Sequence, residues 1–306
     1  AGNFTAPGIN GSSTQLFSLD DVEIPNYDDI NWSQYYKLKF DKPVYITGSR
    51  GCVKRCTFCN VYEIWPKYTY RSGESIAKEI ITVRNKYDRE TFRFTDSLIN
   101  GSMKAFKTLL EGLSEYRTEH NDNFKWVSQW IIRSKKQFPE DWYRMMKEAG
   151  CEEVEIGMES FVQKIRYDMK KKFTDEDMWF CLEMLQKYKI PSTLMMIIGW
   201  PTEEDHEETL DTVRKIYDLG WASSKAEDGN TPLIYFSFAN TLMLDDTQPV
   251  WQEIKDDLDY YNDEIDWSYK GNDLATRNRR FKEVNDLITE LTGQSKSWML
   301  QKTEAD

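Results

Sequence analysis

The chain has 306 residues, which is enough for one large domain or two small ones. Its 40 Lys and Arg face 52 Asp and Glu, and the resulting formal net charge of −12 argues against a general nucleic-acid surface or an anionic-membrane surface. Hydrophobic residues make up 40% and charged residues 30%, as in soluble globular proteins, and no apolar run approaches the roughly 18 residues of a membrane span.

Residues 1–42 precede the first predicted strand and are interpreted as an N-terminal arm or linker. Their first half is rich in Gly, Ser, Thr and Asn, whereas residues 21–42 are acidic and aromatic and are expected to pack outside the core. Because the sequence begins with Ala, the chain is expected to be processed or cut from a longer protein.

Residues 44–47 predict a short strand that leads into a loop with three closely spaced cysteines, Cys52, Cys56 and Cys59. Thiolates this close can bind one inorganic centre, either zinc or an iron–sulfur cluster. A structural zinc site needs a fourth ligand. The other candidates form no second short pair: Cys151, Cys181, His120 and His206. The odd and clustered cysteines exclude a disulfide framework and indicate a reducing, cytoplasmic location.

Strands and helices alternate after this loop. Further strands are predicted over residues 91–96, 125–133, 153–159, 193–199 and 233–238. Helices are predicted over residues 72–87, 102–117, 139–150, 174–188 and 202–219. Six βα repeats imply parallel strands in an α/β fold. Periodicity does not choose between an open doubly wound sheet and an incomplete TIM-like barrel.

Residues 241–306 form a C-terminal extension in this interpretation. An acidic, aromatic segment is followed by a helix predicted over residues 277–292, with apolar residues on one face. We expect the segment to cap the opening of the sheet, with Trp251, Tyr260 or Trp267 touching the cavity. The alternative is a peripheral helix whose aromatic residues pack on the outer wall.

The three cysteines, the Phe58 before the last of them and the stretch Gly157-Met158-Glu159-Ser160 resemble the radical S-adenosylmethionine (radical SAM) superfamily. The resemblance implies a partial TIM-like (β/α)₆ barrel of parallel strands over residues 43–240. It also implies a 4Fe–4S cluster on Cys52, Cys56 and Cys59, with one iron left open for S-adenosylmethionine. The reduced cluster of that family cleaves S-adenosylmethionine to methionine and a 5′-deoxyadenosyl radical.

The working residues of parallel α/β barrels lie at the C-terminal ends of the strands. The resemblance places the methionyl amino group near Thr95 and Asp96, although the family's Gly-Gly-Glu-like turn is absent. Asp96 alternatively caps the following turn, and Arg133 is either a partner of the methionyl carboxylate or a surface ion-pair residue. Ser128 is expected to reach the ribose or the carboxylate.

Two further strand ends complete the expected cofactor site. Glu159 is expected to accept hydrogen bonds from both ribose hydroxyls, as a carboxylate can. Gly199 is expected to let adenine approach the backbone, and adenine is also expected near Phe58. Before the first cysteine, the residues resemble those of members that carry a cobalamin-binding domain, for which residues 1–42 are too short.

The expected function is a radical SAM enzyme that acts on an unidentified small-molecule or peptide substrate. Its expected electron donor is a flavodoxin or a ferredoxin. The alternative is a non-catalytic module that binds zinc or a cluster on the same fold.

Overall fold

The computed structural model describes residues 19–34, 43–203, 206–222, 234–239 and 242–292, and the structural statements below concern these residues. Most of the predicted N-terminal arm lies outside the described residues, as do residues 41, 42, 240 and 241 at the proposed domain boundaries. The arm and the two boundaries therefore stay predictions.

The strands, in chain order, are β1 (Val44–Ile46), β2 (Ser49–Arg50), β3 (Thr69–Tyr70), β4 (Thr91–Phe94), β5 (Lys125–Trp130), β6 (Cys151–Glu159), β7 (Ser192–Ile197), β8 (Ile234–Ala239), β9 (Tyr260–Tyr261) and β10 (Trp267–Ser268). Six of them form one sheet in the order β1-β4-β5-β6-β7-β8, and every neighbouring pair is parallel. This arrangement confirms the expected α/β fold, a partial TIM-like barrel of six parallel strands.

The helices are α1 (Val61–Ile64), α2 (Gly73–Tyr87), α3 (Met103–His120), α4 (Glu140–Glu148), α5 (Gln163–Asp168), α6 (Asp175–Lys187), α7 (Glu207–Asp218), α8 (Pro249–Ile254) and α9 (Leu274–Thr292). The Ser72 hydroxyl accepts the Ser75 N–H at the start of α2, and Thr174 and Asp177 form a capping box on α6. The helix predicted from residue 202 begins later, because the Thr202 hydroxyl donates to Asp168 instead (2.7 Å).

The two faces of the main sheet differ in polarity. The face toward the helices forms the hydrophobic core and includes Phe92, Trp126 and Trp130. The opposite face lines the barrel interior and carries charges, with Arg93 donating to Glu155 at 2.6 Å. Strand β7 alternates between buried and half-buried residues, so one of its faces is less covered than the other.

A second apolar cluster joins the C-terminal segment to the barrel. It contains Val250 of α8, Trp267 of β10 and Trp200, and Phe58 and Trp251 pack against it while half-buried. Trp267 thus shares an apolar cluster with Phe58 of the cysteine loop, and its contact with the cavity stays a prediction. Tyr260 is 40% exposed, so that side chain does not share this packing. No helix in the described ranges combines the length and apolar character needed to cross a membrane.

Candidate cofactor site

The cysteine loop begins at a backbone turn that requires glycine. Gly51 has φ +81°, and a Cβ there would lie 2.8 Å from the Lys67 carbonyl oxygen. This left-handed turn after β2 directs the chain toward Cys52.

The loop is fixed in its middle by backbone hydrogen bonds to two distant elements. The Thr57 N–H donates to the Met169 carbonyl at the end of α5 (3.2 Å). The Thr57 carbonyl accepts the N–H of Val250 in α8 (2.8 Å). Thr57 lies between the second and third cysteines, so these bonds set the position of both.

The three thiols lie at the carboxyl end of β1 and differ in burial. Cys56 is buried, while Cys52 and Cys59 are half-buried. Burial raises the pKa of Cys56 to about 11, although the positive charge of Lys171 opposes this effect. Burial also raises the pKa of Cys52. The backbone N–H of Lys54 donates to the Cys52 sulfur at 3.4 Å, and this hydrogen bond lowers the pKa in opposition to burial.

Three thiols flanked by two lysine ammonium groups are a donor set that suits a 4Fe–4S cluster. In the described parts of the chain, no group of three or more His, Cys, Asp or Glu side chains could hold one metal ion. In a four-iron cluster each thiolate binds a different iron, so the sulfurs need not surround one point. The cations of Lys54 and Lys171 lie close enough to influence the pKa values of these thiols, and they would offset the negative charge of bound thiolates.

Asp96 anchors the start of the cysteine loop. Its carboxylate accepts the Gly48 N–H (2.9 Å) and the Ser49 hydroxyl, and its side chain is buried. Thr95, beside it, shares a hydrogen bond of 2.9 Å with Thr47. Both residues therefore lie at the strand end where the sequence predicted them, and Asp96 holds Gly48 and Ser49 just before the Gly51 turn.

A pH-dependent stability should follow from this buried carboxylate. Burial raises the pKa of Asp96 from 3.8 to about 6, although the hydrogen bonds from Ser49 and Gly48 act to lower it. Because the folded state binds the Asp96 proton more tightly than the unfolded state does, protonation of Asp96 stabilises the fold. This contribution is complete below pH 3.8 and is lost as the pH rises through about 6. We expect the loss to be on the order of 3 kcal/mol in the free energy of unfolding.

Urea unfolding of the apoprotein between pH 4 and 7 tests this prediction. Asp96→Asn keeps one acceptor oxygen and should flatten the pH dependence, whereas the exposed control Asp257→Asn should leave it unchanged. An identical pH profile for wild type and Asp96→Asn would contradict it.

Glu159 forms a buried ion pair that the sequence analysis missed. Its carboxylate lies 2.7 Å from the ammonium of Lys171, which also donates to the Gly157 carbonyl at 2.9 Å. The ammonium stands 5.7 Å from the Phe58 ring centroid. Burial lowers the pKa of Lys171, but the charges of Glu159 and Cys56 outweigh burial and raise it. Glu159, Lys171 and the cysteine loop are therefore in electrostatic contact.

The backbone explains how Lys171 reaches this position. Glu159 has φ +64°, where the pairing of β6 with β7 is irregular, and Lys170 and Lys172 have φ +60° and +55°. Left-handed residues of this kind are unfavourable and occur preferentially at functional sites. The two turns place Lys171 inside while its neighbours point outward. In the sequence these residues form a plain run of three lysines, which signals only a solvated surface.

Arg133 lies close to the loop but is not a surface ion-pair residue. It donates to the Asn100 carbonyl at 2.6 Å and to the Gly101 carbonyl at 3.0 Å. Its Nε is buried and has no hydrogen-bond partner among the described residues. Burial lowers its pKa, while the charges of Tyr68 and Cys52 oppose this effect. A buried, unpaired guanidinium donor near Cys52 suits a carboxylate ligand.

The structure does not bring Ser128 to this group. Ser128 is buried between Trp126 and Trp130 on strand β5, and these two tryptophans belong to the helix-facing core. Its hydroxyl donates to the carbonyl of Gln129 (3.0 Å). Since successive strand residues alternate between faces, the half-buried Gln129 occupies the interior face at this level.

The family of this chain is identified by its match to a sequence model of a protein family. The model described as the Radical SAM superfamily matches residues 46–213, which is more than half of the chain. This range includes the cysteine loop, Lys171 and Glu159. The chain belongs to the radical SAM superfamily.

Individual proteins that are similar to this chain also support this membership. A cytidylyl-2-hydroxyethylphosphonate methyltransferase from Streptomyces wedmorensis is 25% identical, with 53% of this chain and 32% of the relative covered. A tRNA-2-methylthio-N(6)-dimethylallyladenosine synthase from Carboxydothermus hydrogenoformans is 28% identical, covering 61% and 44% respectively. This radical SAM chain therefore spans less than half the length of either relative.

A solved structure shares the fold. The radical S-adenosylmethionine methyltransferase TsrM from Kitasatospora setae, solved with cobalamin and a [4Fe-4S] cluster, superposes with a TM-score of 0.55. The two proteins are 20% identical, and the match covers 70% of this radical SAM chain and 37% of TsrM.

The strand end at Gly199 is held by the C-terminal segment. Gly199 has φ +83°, and a Cβ there would lie 2.4 Å from the Arg277 side chain of α9. Its N–H donates to Glu203 at 2.6 Å, and Asn272 donates to the next carbonyl, that of Trp200 (2.8 Å). The Trp200 ring in turn lies 6.2 Å from that of Phe58. Arg277 therefore fills the space beside Gly199 that was predicted to admit adenine, and Asn272 holds the adjoining Trp200, whose ring packs against Phe58.

Proposed function

We propose that this chain is the catalytic core of a radical SAM enzyme. Its cluster is a 4Fe–4S centre on Cys52, Cys56 and Cys59, and S-adenosylmethionine occupies the carboxyl ends of the strands. The observation that carries the proposal is the buried pair of Lys171 and Glu159 directly beside the cysteine loop. In this arrangement residues 43–240 form the core, residues 1–42 an arm, and residues 241–306 a cap and closing helix.

The residues of the chain have separate roles in the proposed site. When bound, a reduced four-iron cluster supplies the electron that splits S-adenosylmethionine into methionine and a 5′-deoxyadenosyl radical. Arg133 offers its unpaired Nε to the methionyl carboxylate, and backbone groups near Thr95 face the amino group. Glu159 accepts from the ribose hydroxyls while its ion pair with Lys171 orients the carboxylate.

Adenine is proposed to lie between Phe58 and the backbone at Gly199. The Phe58 ring and the Trp200 ring meet edge to face, and Phe58 is half-buried, so one apolar surface borders the loop. The side of Gly199 that a Cβ would occupy is filled by the Arg277 side chain, so adenine would meet the backbone edge of this strand end. The apolar cluster around Trp267 excludes water behind this surface.

The reaction class proposed here is transfer of a methyl or methylthio group. The support is in the names of the relatives, one a methyltransferase and one a methylthio-adenosine synthase. The substrate is a small molecule or a peptide in our proposal. Its contacts would come from the charged interior face, where Arg93 and Glu155 lie.

Radical SAM enzymes need a reductant, and the donor proposed here is a flavodoxin or a ferredoxin. We also propose a cytoplasmic location, because a reducing environment protects thiolate-bound iron and free thiols. The described cysteines are all free, consistent with that environment.

Cofactor cleavage provides the direct test of this function. Protein purified and reconstituted without oxygen should form 5′-deoxyadenosine and methionine from S-adenosylmethionine when dithionite is the reductant, measured by liquid chromatography with mass detection. Protein that carries tightly bound zinc, takes up no iron and forms neither product would contradict the proposal in favour of a non-catalytic module.

A further inference from the structure

A set of exposed residues surrounds the outer side of the cysteine loop. We call it the basic rim and define it as Arg50, Val53, Arg55, Ile64 and Lys67, all of them exposed. Arg50 and Val53 flank Cys52 on the two sides of the Gly51 turn, and Arg55 immediately precedes Cys56. The rim is therefore continuous in sequence with the thiols.

The rim is held together by two aromatic rings. The Arg50 guanidinium lies 5.1 Å from the Trp65 ring centroid, and the Arg55 guanidinium lies 5.6 Å from that of Tyr62. Arg55 also donates to the Pro66 carbonyl at 2.9 Å. These contacts keep the two positive charges on the same side of the loop while leaving them exposed to solvent.

The charge of this segment is opposite to that of the molecule. Residues 50–71 contain five Lys or Arg and a single acidic residue, Glu63. Arg71 is buried and paired with Glu79, and the exposed basic residues are Arg50, Arg55 and Lys67. The whole chain, by contrast, carries 40 basic and 52 acidic residues. A local positive surface on an acidic protein attracts an acidic partner to that place and repels it elsewhere. The charge distribution thus favours one approach direction.

The rim also includes exposed apolar side chains. Ile64 is 70% exposed and Val53 is 40% exposed. Helix α1, which carries Ile64, has no buried residue. Apolar centres surrounded by charges are typical of small, transient protein interfaces.

The other side of the loop is already occupied by the chain itself. Thr57 is bonded to α5 and α8, and Lys170 beyond α5 pairs with Glu253 of α8 at 3.2 Å. Within the described ranges, the rim is the side of the cysteine loop left open to another protein. Substrate and cofactor would enter from the barrel interior, so the rim does not compete with them.

We propose that the basic rim docks a small acidic electron-transfer protein that reduces the cluster. This inference rests on the proposed function, because it assumes a cluster on the adjacent thiols. Electron transfer slows steeply with distance, and docking at Arg50 and Arg55 brings the donor's redox centre next to Cys52 and Cys56. One electron passes from the reduced donor to the cluster, and the donor leaves oxidised by one electron. A basic and aromatic surface also fits RNA phosphates, but the exposed Ile64 and Val53 and the position of the rim beside the cysteines in the sequence favour a protein donor.

Charge reversal separates donor docking from cofactor chemistry. Arg50→Glu/Arg55→Glu is compared with Lys107→Glu/Arg144→Glu, a control with the same charge change on the exposed faces of α3 and α4. The probe is a purified reduced flavodoxin at low concentration, with dithionite as the alternative reductant. We expect the rim variant to lose about tenfold or more in the flavodoxin-driven reduction rate, with little change in the dithionite-driven rate. The wild-type rate with flavodoxin should also fall as salt is raised.

A binding measurement makes the inference independent of catalysis. The affinity of flavodoxin for the reconstituted protein, measured by calorimetry at low salt, should fall in the rim variant and not in the control. Arg50→Gln/Arg55→Gln should give an intermediate loss while disturbing the loop less. Equal losses with both reductants, equal losses in the control, or unchanged flavodoxin affinity would each overturn the rim as the docking surface. Lost binding of a bulk tRNA probe, with flavodoxin affinity unchanged, would assign the rim to RNA instead. A wild type that binds flavodoxin at the rim but cleaves no S-adenosylmethionine would contradict the proposed function alone.

Discussion

Replacement of Cys56 by alanine should remove the iron–sulfur cluster and, with it, all cleavage of S-adenosylmethionine. Cys56 is the buried member of the three thiols and lies next to Thr57, whose backbone is fixed by α5 and α8. An iron without its thiolate would have to take a weaker ligand in a site that excludes water. We expect the broad brown absorbance of the thiolate-bound cluster and the low-temperature paramagnetic signal of the reduced protein to disappear. Cys52→Ala and Cys59→Ala should behave in the same way.

Cys151→Ala is the matched control for this experiment. Cys151 is also a buried, free thiol, but it begins strand β6 and belongs to the hydrophobic core. Its substitution should lower the free energy of unfolding through a small cavity and should leave iron content unchanged. Full cluster content in all three loop variants, or an equal loss of the cluster in Cys151→Ala, would contradict the assignment of Cys52, Cys56 and Cys59 as the cluster ligands.

Glu159→Gln should weaken binding of S-adenosylmethionine by about 1–3 kcal/mol, or roughly 5- to 150-fold in Kd. The neutral amide keeps the shape of the side chain, but only one of its terminal atoms can accept a hydrogen bond from the two ribose hydroxyls. Calorimetry on the reconstituted protein measures the change. Glu140→Gln is the control, because Glu140 is also ion-paired, with Lys187 at 2.5 Å, but lies exposed on α4. Unchanged affinity in Glu159→Gln would remove this residue from the cofactor site.

Substitutions of Glu159 also separate its effect on cofactor binding from its effect on the stability of the fold. Glu159→Ala leaves the ammonium of Lys171, which is only 7% exposed, without its carboxylate. Removing one partner of a buried ion pair typically costs about 3–5 kcal/mol of stability. Glu159→Ala should therefore destabilise the apoprotein more than Glu159→Gln does, and the double change with Lys171→Met should recover much of the difference. Wild-type stability of the apoprotein in both single variants would show that the ion pair contributes little to folding.

The fold was predictable because its signals are local and repeated. Alternating buried residues, as in Phe92 and Phe94, and capping pairs such as Thr174 with Asp177 gave strands and helices close to their observed bounds. The choice of a partial barrel came from the family resemblance, because period-2 and period-3.6 patterns describe single elements and not the closure of a sheet. Helix α7 began later than predicted because Thr202 bonds to a residue distant in sequence, Asp168.

The candidate site was predictable only in part. Asp96, Arg133, Glu159 and Gly199 all occur at strand ends, where the topology brings them together. The structure does not bring Ser128 to the site, although the sequence analysis expected it there. The alternation of strand residues assigns them to two faces but does not say which face the helices cover. Lys171 had no sequence signal as a site residue, because only the left-handed backbone on either side of it turns one lysine of three inward. The assignment of all these residues to the cofactor stays a prediction.

The hydrogen bond from Val250 to Thr57 bears on how the protein is made. Val250 leaves the ribosome roughly 190 residues after Thr57, which at 5–20 residues per second is a delay on the order of 10–40 s. Until then the three thiols have only part of the backbone framework that surrounds them in the finished chain. Iron loading is therefore expected to follow release of the C-terminal segment, and a newly emerging chain would carry exposed thiols that need protection from oxygen during that interval.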